Sequence, residues 1–208
     1  MRQVHKTPFE FVSDDTALDF VNTVDNREDP ERRKELLNTF GDLVSWGRQA
    51  GLITHSESER LTAKAARSSG QARAALRRAK LLREALYRIF SAIAAEQQPA
   101  PADVALLDSM DQQAMAHRRI GHHEEGGFGW QWRTQGAELE LILWQVAKAA
   151  AELLTSDLVY NVRTCAGDSC RWLFVDISRN RSRRWCDMKV CGNRAKARKF
   201  YERTKRSA

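Results

Sequence analysis

Residues Cys165 to Arg206 read CAGDSCRWLFVDISRNRSRRWCDMKVCGNRAKARKFYERTKR, and all four cysteines of the 208-residue chain lie within them. Cys165 and Cys170 form one C-x4-C pair, Cys186 and Cys191 form a second, and fifteen residues separate the pairs. Thiolate is a soft ligand, and four of them at two short spacings suit a closed tetrahedral zinc site. Each short loop brings two sulfurs together, and the segment between has room for a hairpin that returns the second pair to the first. A rubredoxin-like iron site uses the same four thiolates, so the spacing alone leaves zinc and iron both open. Two disulfides are the third reading. It is disfavoured by the 164 cysteine-free residues upstream and by an N-terminus without a secretory segment.

Working outward from the cysteines, charge is the next signal. From Tyr160 onward there are fourteen Lys/Arg against four Asp/Glu, whereas the first 159 residues hold twenty against twenty-three. A Zn(Cys)4 centre carries a formal charge of about −2, which leaves the C-terminal segment near +8. An acidic-leaning domain followed by a basic module is an electrostatic layout suited to polyanions. Arg179, Arg181, Arg183 and Arg184 crowd one turn, and Asn193, Arg194, Lys196, Arg198 and Lys199 follow the last cysteine. Arginine makes bidentate contacts to phosphate or to guanine, and asparagine to adenine. These nine residues are the candidate nucleic-acid contacts. Arg184, Asn193 and Arg194 have a competing reading as supports of the metal centre.

The local pattern within the segment predicts a small finger. Gly167 permits a tight knuckle between Cys165 and Cys170. Arg171 to Asp176 has strand composition, Ser178 to Ser182 reads as a turn, and a returning strand ends at Trp185. Asp187 or Asn193 starts a helix that ends near Thr204. Knuckle, hairpin and helix in that order resemble a treble clef. Too small for a core of its own, such a unit depends on its metal, with Trp172, Phe174, Trp185 and Phe200 expected to add apolar burial.

The first 159 residues read as a separate, mostly helical domain, with residues 160–208 as the finger. Phe9 to Val12 suggests a strand, and Ser13-Asp14-Asp15 caps a helix over about Thr16 to Asp25 that places Asp19 and Asn22 on one face. That polar pair can hold neighbouring loop amides or a small ligand. Asn26 to Lys34 reads as loop. Thr39 caps a helix through Gln49, and Ser56 with Glu59 forms a capping box for another to about Arg67. The longest helix, about Gln71 to Gln97, carries Ala75, Ala79, Leu82, Leu86, Ile89 and Ile93 in a heptad-like stripe for a core or a dimer seam. A helix from about Ala102 to Met115 follows. Ile120 to His123 and Phe128 to Trp132 read as a β-hairpin, and a last apolar helix runs from about Glu138 to Leu154. The cluster His122-His123-Glu124-Glu125 lacks the spacing of a zincin motif. No nucleophile elbow, phosphate-binding glycine loop or paired-carboxylate pattern stands out; a non-enzyme is the expectation, although a catalytic site can also assemble from distant residues. The expected fold is mainly α with a small β-hairpin and a C-terminal zinc finger. No stretch has transmembrane length, and a cytoplasmic protein is expected.

The wording of two stretches also carries a family resemblance. Cys165 to Lys196, with WLFVD, SRN, RRWC-x-M and above all Cys191-Gly192-Asn193-Arg194, resembles the bacterial CGNR zinc-finger family. Phe9 to Thr23 (FEFVSDDTALDFVNT) is similar to the start of the ABATE domain that accompanies this finger, chiefly at Leu18 to Thr23. The resemblance implies one structural zinc per chain and a stress-induced transcriptional regulator. Its preference for DNA over RNA rests on the family alone. The expected partner is therefore DNA; the stripe of the longest helix adds a second copy of the chain, and a sensing N-terminal domain adds a small-molecule effector. The rival readings are an enzyme or small-molecule-binding N-terminal domain with a purely structural finger, and a protein-interaction module built on Trp130, Trp132 and the basic tail.

Overall fold

The computed structural model describes residues 9–122, 126–134, 136 and 138–206. Seven α-helices and three two-stranded antiparallel hairpins follow one another along these residues. Helix α1 (Thr16–Val21) starts at Asp15, whose carboxylate accepts from the amides of Ala17 and Leu18 at 2.8 and 3.1 Å. It is shorter than the periodicity suggests. Val24 leaves the helix for a ladder in which β1 (Val24–Asp25) pairs with β2 (Lys34–Glu35). The expected strand Phe9–Val12 does not form. The amides of Val12 and Ser13 instead donate to Asp19 Oδ1 at 3.1 and 3.0 Å, so this segment wraps α1 and pairs with no neighbouring strand.

Helix α2 (Phe40–Gln49) has the expected Thr39 cap, completed by Asp42 as a capping box. For α3 (His55–Arg67) the box is formed by Thr54 and Glu57, two residues before the predicted Ser56 and Glu59. Starting the helix there leaves Ile53 free to enter the core. Helix α4 (Ser69–Ala94) is the central element. Ala75, Ala79, Leu82, Leu86 and Ile89 are buried along its stripe, and Ile93 is partly covered. It packs against α1, α5 (Pro101–Ala116) and α6 (Leu141–Leu154), the last entered through a 3-10 turn at Glu138–Glu140. The hairpin β3 (Arg118–His122) and β4 (Phe128–Trp132) stands between α5 and α6 in sequence, in the register Ile120 opposite Trp130. Among the described residues no helix is long and apolar enough to cross a membrane.

The third hairpin departs from expectation. Strand β6 (Leu173–Val175) pairs with the upstream β5 (Val162–Thr164), not with a strand ending at Trp185. The cause is Asp176. Its carboxylate accepts from the amides of Ser178 and Arg183 at 3.0 and 2.9 Å and folds residues 176–183 into a loop. Along residues 172–175 the side chains alternate between two cores. Leu173 and Val175 join the helical core, whereas Trp172 and Phe174 pack with the cysteines.

Two side chains bind this strand to the N-terminal segment. Asn22 donates from Nδ2 to the Leu173 carbonyl at 2.8 Å and accepts from the Leu173 amide at 2.9 Å. Trp172 Nε1 donates to the Val24 carbonyl at 3.0 Å. The β1–β2 hairpin is itself fixed to α4 by buried Arg83, which grips both oxygens of Glu35 at 2.7 and 2.8 Å. Burial pushes the Asp19 carboxyl up to about 6, against the lowering effect of its hydrogen bonds from Ser13 and Val12. With the unfolded value near 3.9, folding favours the protonated form. The resulting stability is complete below about pH 4 and disappears as pH rises through about 6. Asp19→Asn is expected to remove this contribution. Urea unfolding at pH 4 to 7 should show the parent losing up to about 3 kcal/mol relative to the variant across that interval.

Candidate metal centre and basic surface

The knuckle is closed by its own backbone, the Cys165 amide donating to the Trp172 carbonyl at 2.8 Å and the Cys170 amide to the Gly167 carbonyl at 3.2 Å. A Cβ at Gly167 would lie 3.2 Å from Cys170 Cβ and 3.3 Å from Cys191 Sγ, so the turn has no room for a larger residue without displacing the sulfurs. Of the second pair, Cys186 precedes and Cys191 sits within a turn of π-helical geometry, Met188–Gly192. Asp187 caps it by accepting from the amides of Lys189 and Val190. Helix α7 (Asn193–Arg206) continues from this turn, so both predicted starts, Asp187 and Asn193, mark real junctions.

All four cysteines are buried and unbridged, and their sulfurs lie within 4.8 Å of one another. Cys170 and Cys186 are 3.6 Å apart and Cys186 and Cys191 are 3.7 Å apart. A tetrahedron with Zn–S bonds of about 2.3 Å has edges of about 3.8 Å, so the cage fits one structural zinc. The amides of Gly167 and Cys186 point at Cys165 Sγ at 3.4 and 3.3 Å, which offsets thiolate charge. As bare thiols the four cannot ionise together. Hydrogen bonds from the other three sulfurs hold Cys165 below the usual thiol range, and its proximity pushes Cys170 and Cys186 above it. A divalent cation reverses those upward shifts. Four thiolates leave no coordination position for water, so the centre can staple the fold but cannot hydrolyse a substrate.

The nine candidate contact residues fall into two groups. Arg179 and Arg181 are exposed on the 178–182 turn, and Arg194, Lys196 and Lys199 are exposed on α7. None of these five side chains has a partner among the described residues. Arg184 is exposed as well, its guanidinium 5.3 Å over the Trp185 ring. Arg183 is different. Its guanidinium donates to Asp14 Oδ2, the Val12 carbonyl and the Cys186 carbonyl at 2.5 Å each and to the Trp185 carbonyl at 3.1 Å, and lies 4.4 Å over the Phe174 ring. Asn193 donates from Nδ2 to the Lys189 carbonyl at 3.0 Å, bracing the turn that carries Cys191. Arg198 pairs with Asp168 of the knuckle. Phe200 is 68% exposed, contrary to the expected burial, because the packing of α7 is mainly against the turn that precedes it. His123, Glu124 and Glu125 lie outside the described residues.

Sequence reasoning singled out the Asp19–Asn22 pair as able to hold loop amides but not its distant partner at Leu173, and it placed Arg183 among the nucleic-acid contacts, since no local signal marks a tie to Val12 and Asp14. The Asx turn of Asp176 onto Ser178 was readable from their two-residue spacing. Comparison with protein-family models matches residues 14–157 to ABATE, described as "Putative stress-induced transcription regulator", and residues 161–204 to the CGNR zinc finger. A search of curated proteins finds no match.

Elemental analysis is expected to give one zinc per chain, lost in Cys191→Ala. Because β6 belongs to both cores, the loss should reach the helical part. A cost of several kcal/mol, at about 2–4 °C each, lowers the unfolding temperature by roughly 10 °C while helicity at 25 °C persists. Full zinc retention in Cys191→Ala would show that the ligand set is wrong.

Proposed function

The chain belongs to the ABATE family and carries a CGNR zinc finger, and on that premise we propose that it is a transcriptional regulator whose finger contacts DNA. The observation that supports this most is the set of exposed cations, with no acidic partner among the described residues, on the loop and the helix that flank the metal centre. Arg179, Arg181 and Arg184 project from a loop shaped by Asp176, and Arg194, Lys196 and Lys199 from a helix rooted at Cys191. Six exposed cations with no acidic partner among the described residues favour a polyanion over a neutral ligand. The zinc centre has a structural part in this reading, and the chain acts by binding, without catalysis. The acidic-leaning N-terminal domain positions the finger and senses a signal. A cytoplasmic setting suits four cysteines that must stay reduced.

A second reading, contact with another protein or a second copy, draws on the β3–β4 hairpin. Ile120, Phe128 and Trp130 share one face of it and are 60–76% exposed. Arg118 covers part of that face, 4.3 Å over the Trp130 ring.

Neutralising about five phosphates gives a slope of log K against log salt near −4 to −5. Lys196→Ala is expected to reduce that slope by about one and to weaken all sequences alike, whereas loss of a base-reading arginine costs roughly 1–3 kcal/mol at a single position. Arg183→Ala should act otherwise, lowering stability and zinc retention before any effect on DNA. Zinc content is measured on every variant. If Arg181→Ala, Arg184→Ala and Lys196→Ala all keep zinc and bind duplex DNA as tightly as the parent, the DNA reading is wrong.

A further inference from the structure

The β1–β2 loop and the finger face one another across a cleft of about 540 Å³. One wall is Asn26, Asp29 and Arg32, from the range that matches ABATE; the other is the knuckle at 167–170 together with Cys191 and, on α7, Arg194 and Arg198, so the cleft borders the metal centre at Cys170 and Cys191. The size suits a mononucleotide-sized ligand, and sites of this kind favour the junction of two domains. Three guanidinium groups line the cleft and none is saturated. Arg194 has no side-chain partner among the described residues, Arg198 has Asp168 alone, and Arg32 has Asp29 at 3.6 Å. Free donor edges on several arginines fit a compact, doubly charged oxyanion, because each fork can bind two oxygens.

The walls are built in advance. Asp29 accepts from the amides of Glu31 and Arg32, both at 3.2 Å, which sets the turn that presents Arg32. Ser169 Oγ donates to Asn26 Oδ1 at 2.8 Å, tying the walls together at one point. Asn26 adopts a left-handed backbone, φ 49°, to reach that position. The carboxylates of Asp29 and Asp168 also line the cleft and accept from hydroxyl groups, which a bare inorganic anion lacks. Arginines for a phosphate beside carboxylates for hydroxyls together describe a phosphorylated sugar or nucleotide.

We propose that this cleft binds a small phosphomonoester, its phosphate on Arg32, Arg194 and Arg198, and that the bound ligand occupies arginines of α7 that would otherwise be open to DNA. The first part stands on the cleft alone; the second rests on the DNA-binding reading. Arg194 and Arg198 cannot clamp a phosphomonoester and a DNA phosphate at once, so each ligand weakens the other by the same factor.

The test uses the zinc-loaded full chain and calorimetry without DNA. Adenosine 5′-monophosphate is the probe, with adenosine and inorganic phosphate as comparisons. Expected is a Kd below about 1 mM for the monophosphate, weaker binding of phosphate and none of adenosine. Arg32→Ala lies outside the finger and its side chain is 76% exposed, so fold and zinc should be kept. This variant should lose about tenfold in affinity for the monophosphate. No heat of binding up to about 10 mM, or unchanged affinity in Arg32→Ala, overturns the site whatever the protein does with DNA. DNA binding is then measured at matched ionic strength. The monophosphate should weaken it severalfold in the parent and not in Arg32→Ala. An unaffected duplex overturns the coupling. Loss of duplex affinity in Arg32→Ala without added ligand makes the cleft part of the DNA face and overturns the small-ligand assignment. Monophosphate binding by a protein that takes up no DNA upholds the site and rejects the DNA reading alone.

Discussion

The amide group of one buried side chain completes the sheet on which this protein is built. Strand β6 has β5 along one edge, and no strand reaches the other. Asn22 fills that edge at Leu173 with a donor and an acceptor, as a neighbouring peptide would. Two residues further on, the Val175 amide donates to the Ser13 carbonyl at 2.8 Å. Ser13 is in place because Asp19, one turn before Asn22, holds its amide. Asp19 of the six-residue α1 and Asn22 at its C-cap thus position the strand that carries the finger. Left unpaired, each buried main-chain group costs about 1–3 kcal/mol, which a short three-residue strand has little packing to offset.

From that edge the alternation of β6 divides the protein into two cores back to back. Leu173 and Val175 are buried among the helices, and Phe174 and Trp172 among the sulfurs. A finger of this size lacks the apolar surface to hold its shape alone, and it solves the problem twice. Metal closes one side of the strand, and the helical domain closes the other. Arg183 reinforces the same join, bridging Asp14 and Val12 of the N-terminal segment to Cys186 while covering Phe174. The free energy of metal binding is therefore shared with the helices, through the strand that both cores use.

What was legible in the sequence follows the range of each interaction. Cysteine spacing, the heptad stripe of α4 and the Thr39 cap are local patterns, and they appear where the spacing places them. The errors come from competition between local options. Thr54-x-x-Glu57 and Ser56-x-x-Glu59 are equally good capping boxes by sequence, and burial of Ile53 decides between them. Phe9 to Val12 has strand composition, but a carboxylate seven residues on from Val12 takes the amides that a ladder would need. The partner of β6 was missed for a related reason. Val162-Arg163-Thr164 is too short to read as a strand, and Asp176 turns the chain away from the more obvious candidate.

The arginines make the same point for the surface. A count of basic residues treats Arg181, Arg183 and Arg198 alike, yet their surroundings assign them different tasks. Arg183 is a cross-link whose donors are taken by carbonyls and a carboxylate of its own chain. Arg171 is drawn likewise to Glu28 of the N-terminal domain at 2.7 Å. Arg198 keeps one edge on Asp168, and the Arg181 side chain has no partner among the described residues. Acidic residues of the helical domain neutralise the arginines nearest the join, so the unbalanced charge lies at the outer turn and along α7. A polyanion approaching the finger meets cations that have given up little hydration to the protein and can exchange it for phosphate. Those at the join have already made that exchange with the fold, and removing them loosens the protein before it alters what the protein binds.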